Sequence, residues 1–507
     1  MDAQEFRQFG KAAVDYIADY IETIRDRPVL PSVEPGYLGD LLPKDPPKTG
    51  ESWQEVLQDV DRIIMPGLTH WHSPKFHAYY PTANSFPAVV GEMLSAGFGC
   101  VGLSWVSSPA YTELEVVMMN WLGKLLNLPE DFLNCSEGPG GGIIQGSASE
   151  VTFIGLLAAK EKKVKDLLAI DPELKEADIK GKLVAYTSDQ SNSSVEKSGL
   201  LGSMPMRLLP ADENGKLTGS ILLQAIREDK AKGLIPCYVV ACLGTTPTCA
   251  FDDLTELGPI CNKEEIWLHV DAAYAGTAFA CPEYRYLMEG VEFADSFNFN
   301  AHKWMLVNFD CSAMWVKNAK YLVEAFNVQR IYLKDNHKGL APEYRHWQIS
   351  LGRRFRALKL WFVLKIYGVD GIQKHVRHQI GLAKYFEELV EQDSRFEVCT
   401  SSMGLVTFRL KGDDRLTETL LAKVDQRKNI FVIAGHFNKK FVIRFAICSR
   451  LTEKCDVDYS WKELQTQADE IVAPKLELNT EMIIKKGLAA IKLSDAATET
   501  LRTERSK

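Results

Sequence analysis

Ile266-Trp-Leu-His-Val-Asp-Ala-Ala-Tyr-Ala-Gly276 is the stretch on which the fold turns. Apolar and bulky residues lead straight into an acid, and small residues follow at once. A short, nearly continuous apolar run of this kind describes a strand buried on both faces, as in a parallel sheet covered by helices. A carboxylate ending such a strand is costly unless a cation meets it. Asp271 is therefore a candidate partner for a positive group, or else the cap of a following helix. On this segment alone both readings stand.

Working outward, the same grammar repeats from about residue 86 to 360. Helical segments alternate with β-rich runs at Leu183–Thr187, Cys237–Leu243, Ile266–Val270, Ser296–Phe299 and Ala313–Val316. The reading is an α/β large domain built on a mainly parallel sheet, with ligands bound beyond the carboxyl ends of its strands. Residues 361–475 carry a smaller α+β pattern, with strands at Phe396–Cys399, Leu405–Leu410 and Phe441–Ala446. Residues 1–85 begin with a helix over 4–26, whose apolar stripe (Phe6, Phe9, Ala13, Tyr16, Ile17, Tyr20, Ile21) needs a partner surface. A Pro-rich connector, Arg27 to Pro47, and a second helix, Trp53 to Ile64, follow it, and residues 476–507 form a polar tail.

With 507 residues, 46% hydrophobic and 25% charged, the chain has the composition of a soluble enzyme with more than one core. Its net charge of −8, without a basic stripe, argues against a nucleic-acid partner. The eleven cysteines are scattered, several within apolar runs. They suggest buried thiols in a reducing compartment, with neither a disulfide framework nor a metal site. No apolar run reaches the roughly 18 residues that would span a bilayer, and no signal-peptide core opens the chain, so a cytoplasmic protein is expected.

Three further segments carry chemistry. Asp295-Ser-Phe-Asn-Phe-Asn-Ala-His-Lys-Trp304 ends another strand on a lysine between His302 and Trp304. Apolar surroundings disfavour the charged form of Lys303, leaving a free amine for imine chemistry. Glu137-Gly-Pro-Gly-Gly-Gly-Ile-Ile-Gln-Gly-Ser-Ala-Ser-Glu150 precedes the apolar helix Val151–Ala159, where Ser147, Ser149 and backbone N–H groups make a phosphate cradle. Leu243-Gly-Thr-Thr246 brings hydroxyls suited to the same phosphate. Alone, each is weak: most lysines are surface residues, and the glycine loop matches neither a nucleotide P-loop nor a dinucleotide fingerprint. Together, a phosphate cradle, an acid for a ring nitrogen and an imine-forming lysine are the contacts that pyridoxal 5'-phosphate requires.

The residues Tyr79-Tyr-Pro-Thr-Ala-Asn84, Gly146-Ser-Ala-Ser-Glu150, His269-Val-Asp-Ala-Ala-Tyr-Ala-Gly276, Asn298-Phe-Asn-Ala-His-Lys-Trp304 and Arg345-His-Trp-Gln-Ile resemble the group II pyridoxal-phosphate decarboxylases, closely the aromatic L-amino-acid decarboxylases. The likeness runs from the N-terminal helix to about residue 470. It implies the aspartate-aminotransferase fold (fold type I), working as a homodimer with the site at the subunit interface. Lys303 would hold the cofactor as a Schiff base and Asp271 would pair with its ring nitrogen. Ser147, Ala148, Ser149, Thr246, Asn300 and His302 would hold the phosphate or nearby cofactor atoms. Tyr79, Tyr80, Pro81, Thr82 and Leu103 would line the substrate pocket. Tyr332, in the lid-like segment Arg330–Gly339, would deliver a proton to the substrate's α-carbon.

Two positions depart from that family. Where the decarboxylases carry a histidine in Asp-Gln-x-His-Ser-Ser, this chain reads Asp189-Gln-Ser-Asn-Ser-Ser194, and Leu103 stands where phenylalanine is usual. An amide neither titrates near neutral pH nor relays a proton, so the carbanion left by decarboxylation should persist longer and be more open to dioxygen. The Asn192 pattern resembles the insect 3,4-dihydroxyphenylacetaldehyde synthases, which are linked to cuticle formation. It implies that an aromatic amino acid, L-DOPA by that resemblance, and O2 give aldehyde, CO2, ammonia and peroxide. The alternative is an ordinary decarboxylase releasing the amine. A silent homologue would have lost Lys303 or Asp271, and the lid and pocket motifs weigh against aminotransfer.

Overall fold

The computed structural model describes residues 1–328 and 341–472. The large sheet has seven strands: β1 (Gly141–Gln145), β2 (Leu183–Ser188), β3 (Met206–Leu209), β4 (Ile235–Cys242), β5 (Trp267–Asp271), β6 (Ser296–Asn300) and β7 (Ser312–Val316). Their order is β1-β7-β6-β5-β4-β2-β3. Five of them, β3 to β6 in that order, are parallel, and β7 runs antiparallel between β6 and β1. The mainly parallel sheet is thus present. β1 and β3 are additions to the strands read from the sequence.

The period of two along each strand separates two cores. Val239, Ala241, Leu268, Val270, Phe297 and Phe299 pack on one face with Met118, Met119 and Leu122 of helix Pro109–Leu126. Tyr238, Val240, Cys242, Trp267 and Met314 face the other way, against Val151 and Ile154 of helix Ala148–Ile170. A smaller sheet, ordered β10-β11-β9-β8, comprises β8 (Phe396–Ser402), β9 (Leu405–Leu410), β10 (Ile433–Phe437) and β11 (Lys440–Ala446). The helix Arg356–Glu391 serves both cores. Leu360 and Val363 pack with the large one, Phe386 and Val390 with the small one, and the helix breaks between them at Gly368 (φ 66°).

At the N-terminus, helix Ala3–Glu22 is closed by a capping box between Asp2 and Glu5 and has no buried residue. Phe6 is 67% exposed, and Val90, Met93, Leu94 and Phe98 of helix Phe86–Phe98 are also exposed. The connector over 27–47 contains one short helix, Tyr37–Leu41. No helix among the described residues is long and apolar enough to cross a membrane.

One buried ion pair anchors β1. Glu115 and Arg353 are 0% and 1% exposed at their side chains, and Glu115 Oε1 accepts from Arg353 Nη2 at 2.6 Å and from the Ile144 N–H at 2.7 Å. Removing one partner leaves a buried charge uncompensated, so Glu115→Ala is expected to cost about 3–5 kcal/mol. The measurement is the denaturant midpoint of the variant. Glu115→Leu combined with Arg353→Met should recover most of the loss, because no buried charge remains.

Candidate active site

The carboxyl ends of β4, β5 and β6 open on a cavity of about 210 Å³. Of the residues singled out in the sequence, Tyr80, Ser147, Ala148, Ser149, Asn192, Thr246, Asp271, Asn300, His302 and Lys303 line it. The sheet explains the meeting: Cys242 lies opposite Asp271 and Asp271 opposite Asn298 in register, so β4 to β6 end together.

Asp271 closes β5 and its Oδ1 accepts the Ala273 N–H at 2.9 Å. Lys303 sits in the short helix Ala301–Trp304 just after β6. It is partly exposed, to the cavity, and its Nζ lies 5.8 Å from the centre of the Tyr80 ring. Burial lowers its pKa, against the opposing pull of the Asp271 carboxylate. Tyr80 is held flat against Tyr274 at 3.8 Å, and Tyr274 against Trp304 at 4.8 Å. His302 accepts the Cys311 N–H at Nδ1 (2.8 Å), which leaves its own proton on Nε2. Burial and then the Lys303 charge push its pKa down to about 3, so it stays neutral.

The cradle has two walls. Ser147 caps the helix Ala148–Ile170 by accepting the Glu150 N–H, so free N–H groups and the positive helix end face the cavity. On the other wall, Gly244 (φ 98°) lets the chain turn tightly, and a Cβ there would come within 2.7 Å of Ala275 Cβ. Thr246 follows it. Asn300 Oδ1 accepts the Ser312 hydroxyl at 2.7 Å. Asn192 caps helix Ser193–Gly202, its Oδ1 accepting the Ser194 N–H at 3.0 Å, while its Nδ2 donates to Thr246 Oγ1 at 3.1 Å.

Four pocket candidates stand elsewhere in the single chain. Tyr79 (φ 57°) is half-exposed and stacks on Trp71 at 5.5 Å. Thr82 donates to the His302 carbonyl at 3.2 Å, beneath the cavity wall, and Pro81 is buried beside it. Leu103 lies partly exposed in the loop after helix Phe86–Phe98. Tyr332 and the tail lie outside the described residues. Tyr274, Cys242 and Phe309 also line the cavity, with no role given to them by the sequence. For Cys242, the signal was its place at the end of an apolar run beside Asp271.

A free amine beside a carboxylate, with a hydroxyl-lined helix N-terminus across the cavity, fits pyridoxal phosphate: Lys303 for its aldehyde, Asp271 for its ring nitrogen, and Ser147, Ser149 and Thr246 for its phosphate. The pyridoxal-dependent decarboxylase conserved domain matches residues 35–411. The chain belongs to this family. It is a pyridoxal-phosphate enzyme of the aspartate-aminotransferase fold. It is 57% identical to the aromatic-L-amino-acid decarboxylase of Drosophila simulans, over 93% of this chain and 92% of that one. It is 56% identical to the 3,4-dihydroxyphenylacetaldehyde synthase of Aedes aegypti, over 92% and 90%. The crystal structure of Catharanthus roseus tryptophan decarboxylase in complex with L-tryptophan superposes with a TM-score of 0.88 at 37% identity, covering 93% of this chain and 99% of that one. Relatives named as decarboxylases and as aldehyde synthases therefore stand at nearly the same identity to this chain.

Proposed function

We propose that this enzyme decarboxylates aromatic L-amino acids with oxidative loss of the amino group, taking L-DOPA, O2 and water to 3,4-dihydroxyphenylacetaldehyde, CO2, ammonia and hydrogen peroxide. Two electrons pass from the α-carbon to O2, the C–N bond is replaced by C=O from water, and O2 leaves as peroxide. When bound, pyridoxal phosphate supplies the electron sink for the pair left as CO2 departs. The protein's part is to hold that sink. Lys303 offers an amine whose charged form burial disfavours, Asp271 would balance the ring nitrogen's charge, and the Ser147–Ser149 helix end and Thr246 would fix the phosphate.

Asn192 carries the choice of product. Both ends of its amide are engaged, one by the Ser194 N–H and one by the Thr246 hydroxyl. Amides do not exchange protons near neutral pH, so position 192 brings no proton to the α-carbon. Slow protonation gives O2 time to react. A second copy of the chain is the proposed cover for the apolar residues exposed on helix Phe86–Phe98, and would place Leu103 in an interface.

Purified holoenzyme given L-DOPA in air should consume one O2 per CO2 released and yield aldehyde and peroxide, with little dopamine. Dopamine equal to CO2, with no oxygen uptake, would replace this reading with simple decarboxylation.

A further inference from the structure

On β5 the period of two places His269 on the same face as Asp271. Ser296 of β6 stands opposite His269 in register, and Asn298 opposite Asp271. His269 and Asn298 are both wholly buried. His269 Nδ1 is 2.8 Å from Ser296 Oγ, and the Trp267 Nε1–H donates to that same oxygen at 2.8 Å. An indole N–H can only donate, and Ser296 Oγ has no other acceptor among the described residues, so its own proton goes to Nδ1. The tautomer is thereby fixed, with the imidazole proton on Nε2. Burial, against the opposing pull of the Asp271 carboxylate, lowers the pKa to about 4 and keeps the ring neutral.

That Nε2–H makes no hydrogen bond among the described residues, and neither end of the Asn298 amide makes one. Asn298 lies close enough to His269 to favour its protonated form, yet outside hydrogen-bonding geometry. Polar groups left unpartnered in an interior are costly, and native cores retain few of them. Here they cluster beside one carboxylate, on the two strands that end at the cavity.

We propose that the His269 Nε2–H and the Asn298 amide, which make no other hydrogen bond among the described residues, are the donors that position Asp271 when the cofactor's ring nitrogen meets it. N–H groups directed at a carboxylate favour its charged form. A cation in the same place would do so too, but would compete with the ring nitrogen for it. A neutral imidazole and an amide avoid that competition, and the Trp267–Ser296 pair fixes which imidazole nitrogen donates. The inference rests on the reading of Asp271 as the ring nitrogen's partner.

The test is Asn298→Leu, nearly the same size and free of the two unpartnered atoms, so the apoprotein should melt no lower than the parent. Its affinity for pyridoxal phosphate, titrated by absorbance, should fall about tenfold or more. The ring-nitrogen resonance of isotope-labelled cofactor in the holoprotein should move toward the unprotonated position. Affinity and resonance both unchanged would overturn the proposal. If Asn298→Leu does not fold, Ser296→Ala, which frees the imidazole tautomer, is read the same way. Asp271→Asn separates the two failures. If it leaves the resonance protonated, the reading of Asp271 falls. If it alters the resonance while Asn298→Leu does not, only the part given to His269 and Asn298 falls.

Discussion

Lys303→Ala is expected to lower turnover at least about a thousandfold, some 4 kcal/mol of barrier, because among the described residues no other amine lines the cavity to take its place. Borohydride treatment of the parent holoenzyme should fix the cofactor to the peptide bearing Lys303, and the variant should carry no such label. The environment also sets a pH dependence. Burial lowers the Lys303 pKa, and Asp271 only partly opposes that. The reactive neutral amine gains population as pH rises through the lowered value, so cofactor uptake by the apoenzyme should reach half its maximum below the ordinary lysine range of about 10.4. A half-maximum at or above that range, or a labelled Lys303→Ala peptide, would remove Lys303 from its place.

The large sheet was legible because β2, β4, β5 and β7 are largely apolar runs, the mark of strands covered on both faces, while β6 alternates Phe297 and Phe299 with polar residues. β1 was hidden by its glycines. Gly141-Gly-Ile-Ile-Gln145 reads as part of a loop, yet a Cβ at Gly142 would meet Met119 and Trp315, so the glycines allow close packing within a strand. β3 is a four-residue edge, and β10 (Ile433–Phe437) alternates half-buried with exposed positions and contains a glycine, too weak a pattern to separate from loop. In the site, Asp271 was legible because it ends a buried strand, and Lys303 because it follows the end of another by three residues, each a charged group that such surroundings tolerate only for a purpose. The bond from Asn192 to Thr246 was not, since it joins residues far apart in sequence through the parallel pairing of β2 and β4. Tyr79 and Tyr80 are neighbours with one motif between them. Only the backbone turn at Tyr79 sends one ring to Trp71 and leaves the other under Lys303.

Asn192→His should change the product more than any other substitution short of disabling the site, raising the ratio of amine to aldehyde at least about tenfold and cutting oxygen used per CO2 in proportion. A histidine brings a titrating nitrogen to the cavity where the amide has none. It also removes the Asn192 cap of helix Ser193–Gly202, a loss of about 1 kcal/mol that should appear as a slightly lower melting temperature. Asn192→Ala separates the two effects, since it loses the same cap and the bond to Thr246 but gains no proton carrier. The alanine variant should therefore melt lower and still make aldehyde. In the histidine variant the amine fraction should change with pH across the imidazole range near 6.5, whereas the parent should show no such step from position 192. If alanine and histidine shift the products equally, the cause is the lost contact with Thr246 and not proton delivery. An amine fraction unmoved by histidine would take the choice of product away from this residue altogether.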